Sequence, residues 1–332
     1  MTPPTFQDVY AARDRIARHV TPSPLMRHPL LEAETGLQIW VKHENHNPTC
    51  AFKIRGGLNL IGSLTPDECA RGVVTASTGN HGQSISLACR LHGVQCTVFV
   101  PDGNNPEKNA AMRAYGAALE EGGSDFDEAR ERCEDRAART GARYVHSANE
   151  PLLIAGVATY ALEVFEAQPL AETILVPVGG GSGACGLITV RNALGSKARI
   201  IGVGAVNADA VARSWRGTER IVGETANTFA EGIATRVTFD LTFDLLKRYL
   251  DDFVLLTEDE LADGVRLALR ATHNLAEGAG AAALAAAVKL RDQLGGQRVV
   301  AIMSGGNIDR MKLQKILNGA GEFELMRTVR YI

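Results

Sequence analysis

The sequence predicts an α/β fold built on parallel sheets. Three observations carry that expectation. Short strand-like runs alternate with helical stretches along most of the 332 residues. Glycine-rich turns stand where several of those runs end. The run at 298–303 (R-V-V-A-I-M) is apolar after its first residue, as a strand covered on both faces must be. Repeated βα units imply parallel strands with helices on both sides.

The elements follow in order. Thr5 caps a first helix whose apolar stripe is Phe6, Val9, Tyr10, Ile16 and Ala17, and Pro22 and Pro24 end it. Residues 38–44 form a strand, and a helix follows from Arg55 to about Ser63. Residues 72–76 are a strand, 79–91 a helix, and 96–100 a strand closed by Pro101. Pro106 opens a helix to Tyr115, at the first-turn position that proline favours. Gly116 and Gly122–Gly123 bracket a short strand. A helix at 125–140 and a strand at 143–146 come next. The alternation resumes with a helix at 152–166, a strand at 173–177, a glycine turn at 179–183 and a helix to Leu194. Strands at 199–205 and 253–256, a helix at 258–273, an alanine-rich helix after Gly280 and the strand at 298–303 complete the chain. From Asn318 onward it reads as a tail or edge element.

Composition narrows the function. Net charge is −3 and no basic block is present, so neither nucleic acid nor a membrane surface is an expected partner. No apolar run is long enough to span a bilayer, and the start M-T-P-P-T-F-Q-D has neither a basic n-region nor an apolar h-region. The six cysteines are scattered, with no C-x-x-C pair. Free thiols in a reducing cytoplasm explain them better than disulfides or zinc.

Four motifs carry chemistry. Lys53 follows Phe52 in P-T-C-A-F-K-I-R-G-G, at a junction between a strand and a helix. Partial shielding there disfavours the ammonium, so such a lysine can become a free-amine nucleophile or base; taken alone the motif reads as a surface lysine at a helix start, and its company with the glycine loop and S-G-G-N overturns that. V-P-V-G-G-G-S-G (176–183) leaves a strand and opens a helix, so its backbone amides and helix N-terminus can cradle a phosphate. A tight turn would explain one or two of those glycines. The run is not a P-loop, and no acidic residue ends the next strand as a dinucleotide fold would want. S-T-G-N-H-G-Q (77–83) also opens a helix after a strand and can hold a second anion, with Asn80 and His81 as side-chain donors; His81 could equally be a capping residue. Ser304 in S-G-G-N (304–307) sits at the end of the last strand, either as a helix cap or as a partner for a heterocycle nitrogen.

In this order the four motifs resemble the fold-type II pyridoxal-phosphate (PLP) enzymes, and within them the serine/threonine dehydratase and serine racemase branch. The likeness runs from about Arg13 to Asn307. It implies a tryptophan synthase β-like fold with two parallel-sheet, three-layer domains, a large PLP-binding one (1–52 and 147–332) and a small substrate-side one (53–146). It implies that Lys53 forms the Schiff base, that Phe52 packs by the ring, and that Asn80 holds the ring's 3′ oxygen. Gly179, Gly180, Gly181, Ser182 and Gly183 would hold the phosphate and Ser304 the pyridine nitrogen. Ser77, Thr78, Gly79, Asn80 and His81 would hold the substrate carboxylate. Glu231–Gly232 and Glu277–Gly278 match loops that line the ring. A homodimer is the family expectation.

The implied activity is an ammonia-lyase that turns a β-hydroxy amino acid such as threonine or serine into a 2-keto acid and ammonia. Substrates such as 3-hydroxyaspartate, phenylserine or a hydroxylated diaminobutyrate stay open. So do an amino-acid racemase, a β-replacement synthase and a non-catalytic PLP-binding protein. The chain departs from the family in five places. Cys50 stands where glycine is common, Thr78 replaces the serine that serves racemases as second acid/base, and Val157 stands for a polar residue. Gly204 and Ala210 replace two acidic ligands of the racemases' cation loop, so no metal is expected.

Overall fold

The computed structural model describes residues 1–319; the end of the expected C-terminal tail lies outside the described residues. Among the described residues ten strands form two sheets: β1 (Leu25–Arg27), β2 (Gln38–His43), β3 (Val73–Ala76), β4 (Cys96–Val100), β5 (Ala118–Glu121), β6 (Arg143–Tyr144), β7 (Thr173–Pro177), β8 (Arg199–Ala205), β9 (Asp252–Leu256) and β10 (Arg298–Met303). The larger sheet has the order β1-β2-β10-β7-β8-β9 and the smaller β5-β4-β3-β6. Every pair is parallel except β1 with β2. Only residues 28–37 separate those two strands, and a parallel return needs a crossover of about a dozen residues or more.

Alternation within the strands shows why both sheets are sandwiched. Val299, Ala301 and Met303 enter one core while Val300 and Ile302 enter the other. Leu175 and Ile201 face the first core, Ile174, Val176 and Ile200 the second. The alanine-rich helix Gly278–Lys289 covers one face of this sheet, its alanines allowing close approach, and the helix Ser182–Ala193 lies on the other. In β3 the division repeats: Val73 joins the large core, while Val74 and Ala76 pack with Phe99 and Cys133 under the helix Phe126–Thr140. Burying one such aliphatic side chain is worth about 1.5–3 kcal/mol.

The first helix, Phe6–Ile16, starts with a capping box between Thr5 and Asp8 and buries Val9, Ala12 and Ile16. The helix expected at 152–166 is two, Pro151–Val157 and Thr159–Ala167, meeting at Ala158. That expected at 258–273 is an α-helix to Leu267 and then a π-turn, Ala268–Thr272. Among the described residues no helix is long and apolar enough to cross a membrane. All six cysteines are free; four are buried and Cys50 is exposed.

Candidate active site

Lys53 is the first residue of the helix Lys53–Ile61, whose remaining residues are all buried. Its Nζ donates to the carbonyl oxygen of Ser147 at 2.8 Å and to Ser182 Oγ at 3.1 Å. The Phe52 ring centroid is 5.2 Å away. Neither acceptor is a carboxylate, so nothing offsets the cost of burying an ammonium, and burial brings the Lys53 amine down to about 8. A free amine is therefore within reach near neutral pH.

The segment before Lys53 is stitched to the end of β10. Phe52 N–H donates to Ser304 O at 3.0 Å, Gly306 N–H to Cys50 O at 2.8 Å, and Ala51 bridges Gly305. These bonds bend the chain sharply. Cys50 takes a left-handed conformation, φ 52°, that favours glycine.

Beneath the helix lies a buried ion network. Arg55 Nε and Nη2 donate to the two oxygens of Glu44, at 2.7 and 2.9 Å. Its Nη1 and Nη2 reach the two oxygens of Glu163, at 2.6 and 2.9 Å, and Nη1 also reaches Thr159 Oγ1 at 3.1 Å. Lys42 Nζ also binds Glu163 and donates to Ser23 O at 2.7 Å. Thr159 turns its hydroxyl back to Gly156 O at 2.7 Å, at the break between the two helices. Two cations thus meet two carboxylates under the reactive lysine.

The glycine loop follows β7. Cys185 is the first residue whose N–H returns to the loop, to Gly181 O at 2.9 Å. The N–H groups before it belong to a helix start, which has no carbonyls of its own to meet them. A side chain is impossible at Gly179, where a Cβ would sit 2.3 Å from Gly232 O, and Gly181 has φ 90°. At Gly183 a Cβ would lie 3.7 Å from the Phe52 ring.

The loop at 77–81 comes after β3. Ser77 Oγ accepts from the N–H groups of Gly79 (3.2 Å) and Gly82 (2.9 Å), capping the helix Asn80–His92 and keeping its own proton free to donate. Thr78 is half-buried. The His81 side chain is a donor as expected, but it donates into the fold and not toward the loop. Thr75 Oγ1 donates to Val145 O at 2.8 Å and so accepts from His81 Nε2–H at 2.9 Å. Burial, with Lys53 nearby, holds the ring neutral, its pKa down to about 3. What His81 has left is its backbone N–H and an unpartnered Nδ1, an acceptor in this tautomer that offers no proton to a carboxylate. Asn80 is oriented from both ends: its Nδ2 donates to Glu277 Oε1 at 2.6 Å and its Oδ1 accepts from Asn307 Nδ2 at 2.8 Å. Ser304 is buried, its Oγ 3.5 Å from Ala279 O.

Lys53 thus touches the glycine loop through Ser182, and its charge reaches His81 at the start of the helix after β3. The sequence pattern of the pyridoxal-phosphate dependent enzymes matches residues 16–305. The chain belongs to the pyridoxal-phosphate dependent enzyme family. It is 37% identical over 316 residues to the L-threonine ammonia-lyase of Thermotoga maritima, spanning 95% of this chain and 78% of that one. Among solved structures it is similar to the threonine deaminase of T.th. (32% identity, 92% and 99% of the two chains, TM-score 0.87). It is also similar to maize serine racemase (27% identity, 96% and 98%, TM-score 0.90).

The residues present fit pyridoxal phosphate. The helix-start amides suit its phosphate, and the Lys53 amine, already at Ser182 on the cup, suits its aldehyde carbon. Phe52 and Ser304 stand at the end of β10, where Ser304 could meet the ring nitrogen. Among the described residues no group of three or more His, Cys, Asp or Glu side chains could hold a metal ion.

Sequence reasoning missed Ser147, which acts through a carbonyl that any residue carries. It also missed the Arg55 network and Lys108, whose Nζ is paired with Glu231. The signal for Arg55 was present in F-K-I-R-G, a charge in an otherwise apolar helix.

Proposed function

We propose that the protein is a PLP-dependent dehydratase that converts threonine or serine to the 2-keto acid and ammonia. The observation that carries the reading is the half-buried Lys53 amine, bonded to Ser147 O and to Ser182 of the glycine loop, near enough to His81 to act on its charge, and without a carboxylate partner among the described residues. The likeness to the L-threonine ammonia-lyase of Thermotoga maritima supports it.

When bound, the cofactor supplies a sink for the electron pair left at Cα. Lys53 takes the Cα proton and returns one to the departing β-hydroxyl. Ser77, Thr78 and Gly79, with the N–H groups of Asn80 and His81, hold the carboxylate. Asn80 would offer its second amide proton to the cofactor's ring oxygen, and Gly179 to Gly183 would hold its phosphate. Ser304 offers the ring nitrogen a neutral hydroxyl, which does not force its protonation as a carboxylate would. A neutral partner at that position suits elimination better than transamination. The division at 1–52 plus 147–332 and 53–146, a cytoplasmic location and a homodimer belong to the same reading. Exposed Met26, Leu30, Leu269 and Leu275 support a covered face.

The similarity to a serine racemase supports a second reading, an isomerase. Racemisation needs an acid on the face opposite Lys53, and Thr78 is β-branched with a stiff χ1. Elimination is therefore expected to dominate. Keto-acid release across threonine, serine, 3-hydroxyaspartate, phenylserine and hydroxydiaminobutyrate tests the reading, with threonine or serine expected fastest. No keto acid from any of them overturns it. Chiral chromatography of residual substrate separates the two: enantiomer accumulating as fast as keto acid makes the protein a racemase.

A further inference from the structure

A buried cation lies against the 77–81 loop and has no part in the chemistry above. Lys108 sits in the first turn of the helix Pro106–Ala114, whose start is capped by Asn105. It is 8% exposed. A Cβ placed on Gly79 would be 3.4 Å from Lys108 Cδ and 3.6 Å from its Nζ, so the lysine stem lies flat on the loop. Its ammonium is paired with Glu231 Oε2, and the other oxygen of Glu231 is paired with Lys312. Lys312 has a second partner in Asp309, at 3.1 Å. Lys108, Glu231, Glu277, Asn307 and Lys312 line one pocket.

Two features set this pair apart from an ordinary buried ion pair. Glu231 is shared between two ammonium groups, while Lys108 has Glu231 as its one ion-pair partner among the described residues. The lysine is thus the less saturated member, with donor capacity to spare. The pair also joins elements of the two sheets. Lys108 follows β4, whereas Glu231 opens the turn Glu231–Ile233, whose Gly232 carbonyl packs on Gly179 of the glycine loop.

We propose that Lys108 is a substrate-binding residue: its ammonium meets the α-carboxylate seated on the 77–81 loop, and Glu231 is its counter-ion while the loop is empty. The inference rests on the reading of that loop as the carboxylate site. Charge-assisted contact adds to the backbone amides what they lack, a full positive charge. Glu231 keeps Lys312 when Lys108 turns toward substrate, so no carboxylate is left unpaired.

The test uses holoenzyme and three variants, Lys108→Met, Lys108→Arg and Glu231→Gln, each checked for bound-cofactor absorbance and thermal melting. Lys108→Met should raise the KM for threonine at least tenfold with kcat changed less than threefold. Lys108→Arg should restore most of the loss, and Glu231→Gln should leave KM unchanged or lower. Calorimetric titration with 3-hydroxybutanoate, which has the carboxylate but no amine, should show weaker binding to Lys108→Met. Threoninol, which lacks the carboxylate, should bind both proteins alike. A purely structural bridge would instead make Lys108→Met and Glu231→Gln equally damaging, and that result overturns the inference. So does unchanged 3-hydroxybutanoate affinity in folded Lys108→Met. If threonine is not a substrate the proposed reaction fails, yet the 3-hydroxybutanoate titration still decides the role of Lys108.

Discussion

Phe52 donates its backbone N–H to the carbonyl oxygen of Ser304 at 3.0 Å. One hydrogen bond thereby fixes the residue before the reactive lysine to the residue assigned to the cofactor's ring nitrogen. The spacing between these two residues is thus set by main chain, not by mobile side chains.

Lys53→Ala should abolish the yellow colour of the purified protein and reduce keto-acid formation by about 10³-fold or more. Borohydride should fix the chromophore to the peptide containing Lys53 in the parent. A variant that keeps its visible band would remove Lys53 from its role.

The depressed pKa of Lys53 makes the cofactor-free protein pH-sensitive. Between about 8 and 10.5 the unfolded chain holds a proton on this lysine that the folded chain has released. Stability from this group therefore rises with pH across that window. Lys53→Met should melt higher than the parent below pH 8, and the gap should close toward pH 10.5. Parallel melting curves over that range would contradict it.

Arg55→Met should be severely destabilising. Glu44 is held below the usual carboxylate range because Arg55 and Lys42 outweigh its complete burial. Removing the guanidinium leaves the buried Glu44 and the part-buried Glu163 with Lys42 alone. The cost is about 3–5 kcal/mol. Denaturant titration reads it directly, and Arg55→Lys should recover only part, since an ammonium cannot make the paired contacts.

Cys50→Gly should stabilise the protein slightly. Left-handed backbone costs a non-glycine residue about 1–2 kcal/mol, and glycine's extra unfolded-state freedom returns about 0.5–1 kcal/mol of that. A net gain of about 0.5 kcal/mol is expected. A lower denaturation midpoint would mean that the thiol makes a contact worth more than the strain.

Much of the fold was legible because strand and helix periods differ sharply. β7, β8 and β10 match their expected bounds residue for residue. The short elements were not. β1 has three residues, and the helices Pro29–Thr35, Pro66–Arg71 and Ala210–Arg216 span six or seven, too few for a period to emerge. Longer Asp240–Tyr249 was missed as well. The break at Ala158 was hidden because its cause is distant in sequence: Thr159 spends its hydroxyl on Gly156 and receives Arg55. At the site, Lys53, the glycine loop and Ser304 announced themselves by residue type and order. His81 was misjudged because the sequence shows a donor-bearing ring but not that Thr75 already holds its proton.

β10 is the last strand among the described residues, yet it lies between β2 and β7. Until residues 298–303 leave the ribosome, the larger sheet exists as two separate edges with a vacancy one strand wide. Ala51 and Gly305 cannot pair before then. The nascent enzyme is therefore inert through nearly its whole synthesis, and its folding rate is governed by a contact spanning most of the polypeptide. A chain stopped short of β10 would present bare strand edges, the species that chaperones and proteases must intercept.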